Sequence, residues 1–249
     1  MSFLNTFLSN IRFCYHFLND TESNRIARLK KEEYLKTPKR YDIINYLLQF
    51  TSCEYYLEIG VRNPDHNFNK IKCRHKLSVD PGLEFKANPV KYQLTSDVFF
   101  HKFFHNELDV SSDIKFDIIF IDGLHQSYQL ERDILNTLSC ISDVGFIVLH
   151  DCNPISEYHT RENFNDKLSP ARDNWNGTSW KAFYKFRHRS DIYSACIDTD
   201  WGVGILSKNS FFNKLNNLKE MENPFYEFSV LENNRSSHLN LISFNQLIS

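Results

Sequence analysis

Glycine is scarce in this chain: there are seven in 249 residues, all between positions 60 and 204. A sequence so sparing with it places it where backbone freedom or close approach is required. Gly60, Gly82 and Gly123 each follow a predicted strand directly, so they are candidate ligand-facing turns. The spacing G-x-G-x-x-G is missing, because positions 62 and 65 are Arg and Asp, which argues against NAD or FAD. No run approaches the ~18–20 apolar residues of a membrane span. Residues 1–18 are apolar but broken by Asn5, Asn10, Arg12 and His16, with no basic leader and no small-residue cleavage site. A signal peptide is therefore not expected, and a cytoplasmic location is. An excess of one charge is also missing: the net charge is −2 with both signs well mixed, so nothing marks a nucleic-acid surface. The six cysteines (14, 53, 73, 140, 152 and 196) contain no C-x-x-C pair and read as free, mostly buried thiols in a reducing compartment.

Aromatic bulk, by contrast, is plentiful. Twenty-two Phe and 12 Tyr supply large core side chains, although the apolar fraction is only 41%. The length suits one large domain, or one domain with a helical attachment. Residues 116–151 organise the rest. Ile118–Ile121 and Phe146–Leu149 are short apolar runs without alternation that stop abruptly at polar groups. Such runs read as strands buried on both faces of a parallel sheet. Between them Leu130, Ile134, Leu138 and Ile141 share one helical face. The carboxyl edge of this strand–helix–strand unit carries Asp122, His125, His150, Asp151 and Asn153, and that edge is where open α/β sheets bind ligands.

Tyr55–Ile59 and Leu77–Asp80 predict two further strands. Lys91–Leu94 predicts a third, followed by a Phe-rich helix from Ser96 through Phe104. Asn63-Pro64-Asp65 has the residue order of a helix start. Trp180–Phe186 predicts a short helix, and Asp191–Asp198 with Gly202–Leu206 a closing antiparallel pair. The fold class is thus α/β, a doubly wound, mostly parallel seven-stranded Rossmann-like sheet with its last strand antiparallel. Residues 1–50 form an N-terminal helical cap, in which Phe3, Phe7 and Ile11 share a face and the charged stretch from Thr21 to Glu33 is a solvated helix or linker. The cap covers one edge of the main domain or offers a homodimer surface. Residues 152–179 are too long and polar for a simple connection and read as a lid over an acceptor. Residues 209–249 are an extension of undetermined structure.

Glu58-Ile-Gly60, with Asp80 twenty residues after the glycine, suits a nucleotide-like ligand, because a carboxylate ending the second strand can accept hydrogen bonds from ribose hydroxyls. In order along the chain, Tyr56–Asn63 (YLEIGVRN), Val79-Asp80-Pro81, Phe120–His125 (FIDGLH) and Val148–Asp151 (VLHD) resemble the motifs of class I S-adenosylmethionine-dependent methyltransferases, in particular the small-molecule and sugar O-methyltransferases. The resemblance covers roughly residues 52–206 and makes 51–208 an S-adenosylmethionine-binding domain. It implies that Glu58, Gly60, Val61, Arg62 and Asn63 border the donor's methionine end, that Asp80 holds the ribose, that Ser96 and Asp97 lie near the adenine, and that Asp122 adjoins the donor. One departure is Pro64, where the family often has a second glycine, so the loop from Val61 to Asn67 takes another path.

Asp122, His125, His150 and Asp151 form a second constellation. Carboxylates ending adjacent strands can converge on a hard cation. The chain is similar here to metal-dependent O-methyltransferases of the catechol type, which implies Asp122, Asp151 and Asn153 as ligands of Mg²⁺, although Cys152 stands where an Asn is usual. The alternative is metal-free catalysis, with His125 or His150 taking the acceptor proton and Asp151 orienting it. A third group is Trp175, Trp180 and Trp201 with Arg161, Arg172 and Lys181, of which Trp180, Lys181 and Trp201 are candidate acceptor contacts, core packing being the other reading. The expected activity is methyl transfer to an oxygen of a small sugar-like acceptor, such as a sugar of a cell-surface polysaccharide. Two rivals are a metal-dependent hydrolase using the Asp/His cluster and an inactive binding protein on the same fold.

Overall fold

The computed structural model describes residues 21–84, 89–166, 169–209, 214–217 and 220–249. The helix expected from Phe3, Phe7 and Ile11 lies outside the described residues. Seven strands form one sheet in the order β2-β1-β3-β4-β6-β5-β7. They are β1 (Tyr55–Ile59), β2 (His75–Val79), β3 (Phe116–Ile121), β4 (Ile141–Leu149), β5 (Tyr193–Ile197), β6 (Val203–Ser207) and β7 (Leu241–Ile242). The pairs β1–β2, β1–β3, β3–β4 and β5–β7 are parallel, and β6 alone runs against its neighbours β4 and β5. The expected reversal in the final pair is therefore present.

Among the described residues, seven α-helices pack around the sheet: α1 (Thr21–Leu35), α2 (Arg40–Leu47), α3 (Ser96–Phe104), α4 (Ser127–Cys140), α5 (Ser179–Phe186), α6 (Phe228–Leu239) and α7 (Phe244–Ile248). Alternate strand residues feed two cores, as a sheet buried on both faces requires. Leu57, Ile59, Ile119, Ile121, Ile147 and Leu149 pack with α3, α4, α5 and α6. Tyr56, Ile118, Phe120, Phe146 and Val148 pack on the other face with Ile43, Ile44 and Leu47 of α2. The α2 part of the N-terminal cap is thus one wall of the main core. The charged α1 is a helix that buries Ile26 and Glu33.

Three expectations differ from the structure. Lys91–Leu94 makes only a single parallel bridge, Val79 to Tyr92. It has no room for more, because Thr95 caps α3 by accepting from the Val98 amide. The seventh strand comes instead from the C-terminal extension. Asn63-Pro64-Asp65 does not open an α-helix. The Asn63 side chain accepts from the Asp65 amide, the His66 amide bonds the Asn63 carbonyl, and a 3₁₀ turn follows at Phe68–Lys70. Asn67 is drawn inward, away from helical geometry, by hydrogen bonds to Tyr56 and Glu58. Finally, Ile141 starts β4 rather than ending α4, whose buried face is Leu130, Ile134, Thr137 and Cys140.

Candidate active site at the carboxyl edge of the sheet

The tips of β3 and β4, the β5–β6 turn and the first turn of α2 bring six charged or titratable side chains together. The backbone sets the meeting. The Gly60 amide bonds the Val79 carbonyl, the Asp122 amide bonds the Ile59 carbonyl and the His150 amide bonds the Ile121 carbonyl, so the parallel ladders run into the loops. Gly60 has φ 90°, and a Cβ on it would overlap the Asp122 carbonyl and lie 2.6 Å from the Gly123 Cα. Its glycine is required for β1 to pass the tip of β3.

His125 Nδ1 lies 3.1 Å from Asp151 Oδ2 and 2.9 Å from the Trp175 carbonyl, and its Nε2 lies 3.4 Å from Asp122 Oδ1. The ring stacks on Trp175, centroids 5.2 Å apart. His150 Nδ1 is 3.3 Å from Asp122 and 3.2 Å from Asp151, and Nε2 is 3.7 Å from Asp200. These are ion-pair distances, yet neither buried His150 ring nitrogen completes a hydrogen bond. Asp151 takes a positive φ of 60° and accepts from Asn176 Nδ2 at 2.6 Å.

Two residues that the sequence reading did not single out complete the cluster. Arg40, from the first turn of α2, donates from Nη1 to Asp122 at 2.5 Å and from Nε and its backbone amide to Asp200 at 2.9 and 3.1 Å. Asp200 sits in a turn where Asp200, Trp201 and Gly202 all have positive φ. That turn is gripped by the cap: the Trp201 amide bonds Glu33, Thr199 bonds the Pro38 carbonyl, and Lys36 bridges Glu33 and Asp198. An Asp-Trp-Gly turn beside a strand was a usable signal for Asp200. Arg40 carried no signal, because helix periodicity does not say which sheet tip a first-turn side chain reaches.

Charge in the cluster is strongly coupled. Burial works against ionised Asp122, but positive charge on His150 and Arg40 holds it well below the usual carboxylate range. Asp200 is lowered too, against burial, by His150 and Arg40. Burial disfavours the charged form of His125, but Asp151 and Asp122 outweigh it and raise the group to about 9. His150 is likewise raised, against burial and Arg40, by Asp151 and Asp122. The folded chain therefore binds the His125 proton more tightly than the unfolded chain does. That contribution, on the order of 3 kcal/mol, is complete below the unfolded value of about 6.5. It is lost as pH rises through about 9. The Tm of chelator-treated protein is expected to fall over this window, and His125→Asn to flatten that slope; an unchanged slope in the variant would count against the assignment.

Glu58 is 3% exposed and is hydrogen-bonded by Tyr56 Oη at 2.5 Å and Asn67 Nδ2 at 2.7 Å. Burial, only partly opposed by these donors, pushes its carboxyl up to about 7. Val61 is buried, Arg62 is exposed and paired with Glu84 at 3.0 Å, and Asn63 closes its own turn. Asp80, half-buried at the tip of β2, accepts from the Gly82 amide at 2.6 Å. Ser96 and Asp97 bind Gln129 on α4, and Asp97 also pairs with Arg132.

Asn153 does not join Asp122 and Asp151. Its amide donates to Asp198 at 3.1 Å and accepts from Arg235 at 2.5 Å, because the Cys152 and Asn153 amides pair with the Gly202 and Trp201 carbonyls and turn the chain away. Among the described residues, the group that could hold a cation is Asp122, His125 and Asp151, whose ligand atoms all lie within 4.8 Å of one another. Trp180 is in the core behind α5, edge-on to Tyr226, rather than at an acceptor surface. Lys181 is half-buried on the same helix. Trp201, 8% exposed, packs against Tyr34 and His159 under the 152–179 segment. That segment folds back on the site through the Thr178 amide, which bonds the His125 carbonyl, and Thr178 Oγ1, which accepts from the Ser127 amide.

No family model and no curated protein matches the chain. Among solved structures it is similar to an O-methyltransferase from Bacillus cereus in complex with SAH, at 13% identity over 76% of this chain and 90% of that one, TM-score 0.44. It is similar to the O-methyltransferase TomG from Streptomyces achromogenes in complex with SAM, at 12% identity over 80% and 95%, TM-score 0.46. It is also similar to the SAH-bound methyltransferase PaMTH1 from Podospora anserina, at 13% identity over 83% and 97%, TM-score 0.44. At this degree of likeness, what the protein does has to be read from the edge of its own sheet.

Proposed function

We propose that the protein transfers a methyl group from S-adenosylmethionine to an oxygen of a small hydroxylated acceptor, a sugar of a cell-surface polysaccharide being the favoured class. The observation that carries this reading is the pairing of a carboxylate at the tip of β2 with the His125/His150–Asp122/Asp151 cluster at the tips of β3 and β4, on one edge of a sheet whose last strand pair is reversed. The sulfonium methyl is already activated, so catalysis requires alignment and a deprotonated or polarised nucleophile. Alignment can supply about 7–11 kcal/mol, against ~10²–10⁴-fold for a general base.

The residues present fit such a donor. Asn67 Oδ1 is a buried acceptor beside Glu58 with no hydrogen-bond donor, which an ammonium group would supply. Asp80 would hold the ribose hydroxyls. Without a ligand, the pKa of about 9 keeps His125 protonated at neutral pH, so it is not a base as it stands, and Asp151 and Asp122 shift His150 in the same direction. A cationic donor beside Asp122 and Asp151 works against that proton, which favours the base form where it is needed. A divalent ion on Asp122, His125 and Asp151 would have the same sign of effect and would polarise an acceptor oxygen. Two carboxylates and an imidazole suit Mn²⁺ or a similar borderline ion better than Mg²⁺, which prefers oxygen alone.

Calorimetric titration with S-adenosylmethionine and S-adenosylhomocysteine, with and without EDTA, tests the reading. One-to-one binding of both is expected. Asp80→Ala should weaken binding ~10–100-fold, the worth of hydrogen bonds to a charged group, while His125→Ala and Asp151→Ala should leave S-adenosylhomocysteine affinity within a few-fold. Equal loss in all three would contradict this division of roles. Tight stoichiometric metal with no adenosyl binding would favour a metal-dependent hydrolase.

A further inference from the structure

The opposite edge of the sheet carries a second chemical feature, remote from the donor-binding strand tips. Cys53 and Cys73 stand two residues before the paired starts of β1 and β2, where Tyr55 lies opposite His75. The ladder continues back to them, because the His75 amide bonds the Glu54 carbonyl and the Arg74 amide bonds the Cys53 carbonyl. Cys53 breaks strand geometry with φ 56°, which turns its side chain across the gap. Its thiol donates to the Lys72 carbonyl at 3.0 Å, and the Cys73 thiol donates to the Cys53 carbonyl at 3.2 Å, so each sulfur rests on the other's segment. Both residues are half-buried, whereas Cys140, Cys152 and Cys196 are buried.

We propose that Cys53 and Cys73 are an oxidisable dithiol that closes to a disulfide with hydroperoxides or with an oxidised low-molecular-weight disulfide. With a hydroperoxide, the Cys53 thiolate attacks the O–O bond, giving a sulfenic acid and releasing an alcohol or, from hydrogen peroxide, water. The Cys73 sulfur then displaces the sulfenic oxygen as a second water, so two thiols lose two hydrogens and two electrons to the oxidant. Cys73, whose thiol rests on the Cys53 carbonyl at 3.2 Å, is placed to resolve a sulfenic acid formed on Cys53, and burial and the adjoining sulfur raise the Cys73 thiol. The reaction does not depend on the methyl-transfer reading.

Peptide mapping of the intact protein tests it. Fully reduced protein is treated with hydrogen peroxide or oxidised glutathione, alkylated and digested with trypsin. The expected product links peptide 41–62 to the peptide carrying Cys73, with the Tm raised by roughly 6–12 °C for a loop this short and both changes reversed by dithiothreitol. Cys53→Ser and Cys73→Ser, which keep a small hydrogen-bonding side chain, should each abolish the link and the shift. Separate oxygen or glutathione adducts on the two sulfurs without a linked peptide, or a link from Cys14 to either one, would overturn the proposal.

Discussion

Arg40→Ala is expected to destabilise the protein by about 3 kcal/mol, the lower end of what stranding a buried ion pair costs, and to lower the Tm by roughly 6–12 °C. The lower end applies because the Arg40 side chain keeps 22% of its surface in solvent. Removing it takes the shortest partner from two carboxylates at once, Asp122 at 2.5 Å and Asp200 at 2.9 Å, leaving His125 and His150 near Asp122 and the Arg40 amide, His150 and Lys39 near Asp200. Adding Asp200→Asn to Arg40→Ala should recover part of the loss, since one uncompensated charge is then gone. Arg40→Lys keeps the charge but a single ammonium cannot span both carboxylates, so it should fall between wild type and Ala. Thermal unfolding of these four proteins and of Asp200→Asn alone measures this. Strictly additive losses in the double variant would show that Arg40 and Asp200 do not act as one unit.

Gly60→Ala should have the larger effect, more than about 4 kcal/mol, which places it among the exceptional single substitutions. The φ of 90° costs an L-residue heavily, and the new methyl would overlap the backbone of Asp122 and Gly123 rather than a side chain that could swing aside. Because β1 and β3 are both interior strands paired to each other, relief requires parting an inner ladder of the sheet. The expected outcome is aggregation or a circular dichroism spectrum without cooperative unfolding. A well-folded Gly60→Ala protein that fails only to bind donor would show that the glycine serves the ligand rather than the passage of β1 past β3. Gly123→Ala is the control, since its Cβ would meet only Ile59 at 3.8 Å.

Much of this architecture was legible in the sequence because apolar runs without alternation have few other readings. Tyr55–Ile59, Phe116–Ile121 and the Tyr193–Ser207 hairpin stand close to where the patterning puts them. Asp122, His125, His150 and Asp151 could be foreseen as neighbours because consecutive parallel strands deliver their carboxyl ends to one edge. Relations that depend on tertiary direction were not legible. Nothing local says that α2 walls the main core, that Arg40 reaches Asp122, or that Asn153 turns to Asp198 and Arg235. Gly60 was read as open to a ligand because turn glycines commonly are, and only the β3 tip beside it shows which neighbour excludes a side chain. Trp180 was ambiguous for a related reason: an indole on a short helix suits a core or an acceptor surface equally until the opposing α6 and Tyr226 are placed.

A crystal structure of the chain with S-adenosylhomocysteine most directly tests whether this edge receives an adenosyl donor. The expected density puts the ribose hydroxyls on Asp80, the amino group near Glu58 and Asn67, and the sulfur facing His125 and Asp122. An adenosyl group bound elsewhere, or an edge that stays filled by Arg40 and the Tyr56–Glu58–Asn67 contacts at saturating ligand, would contradict it.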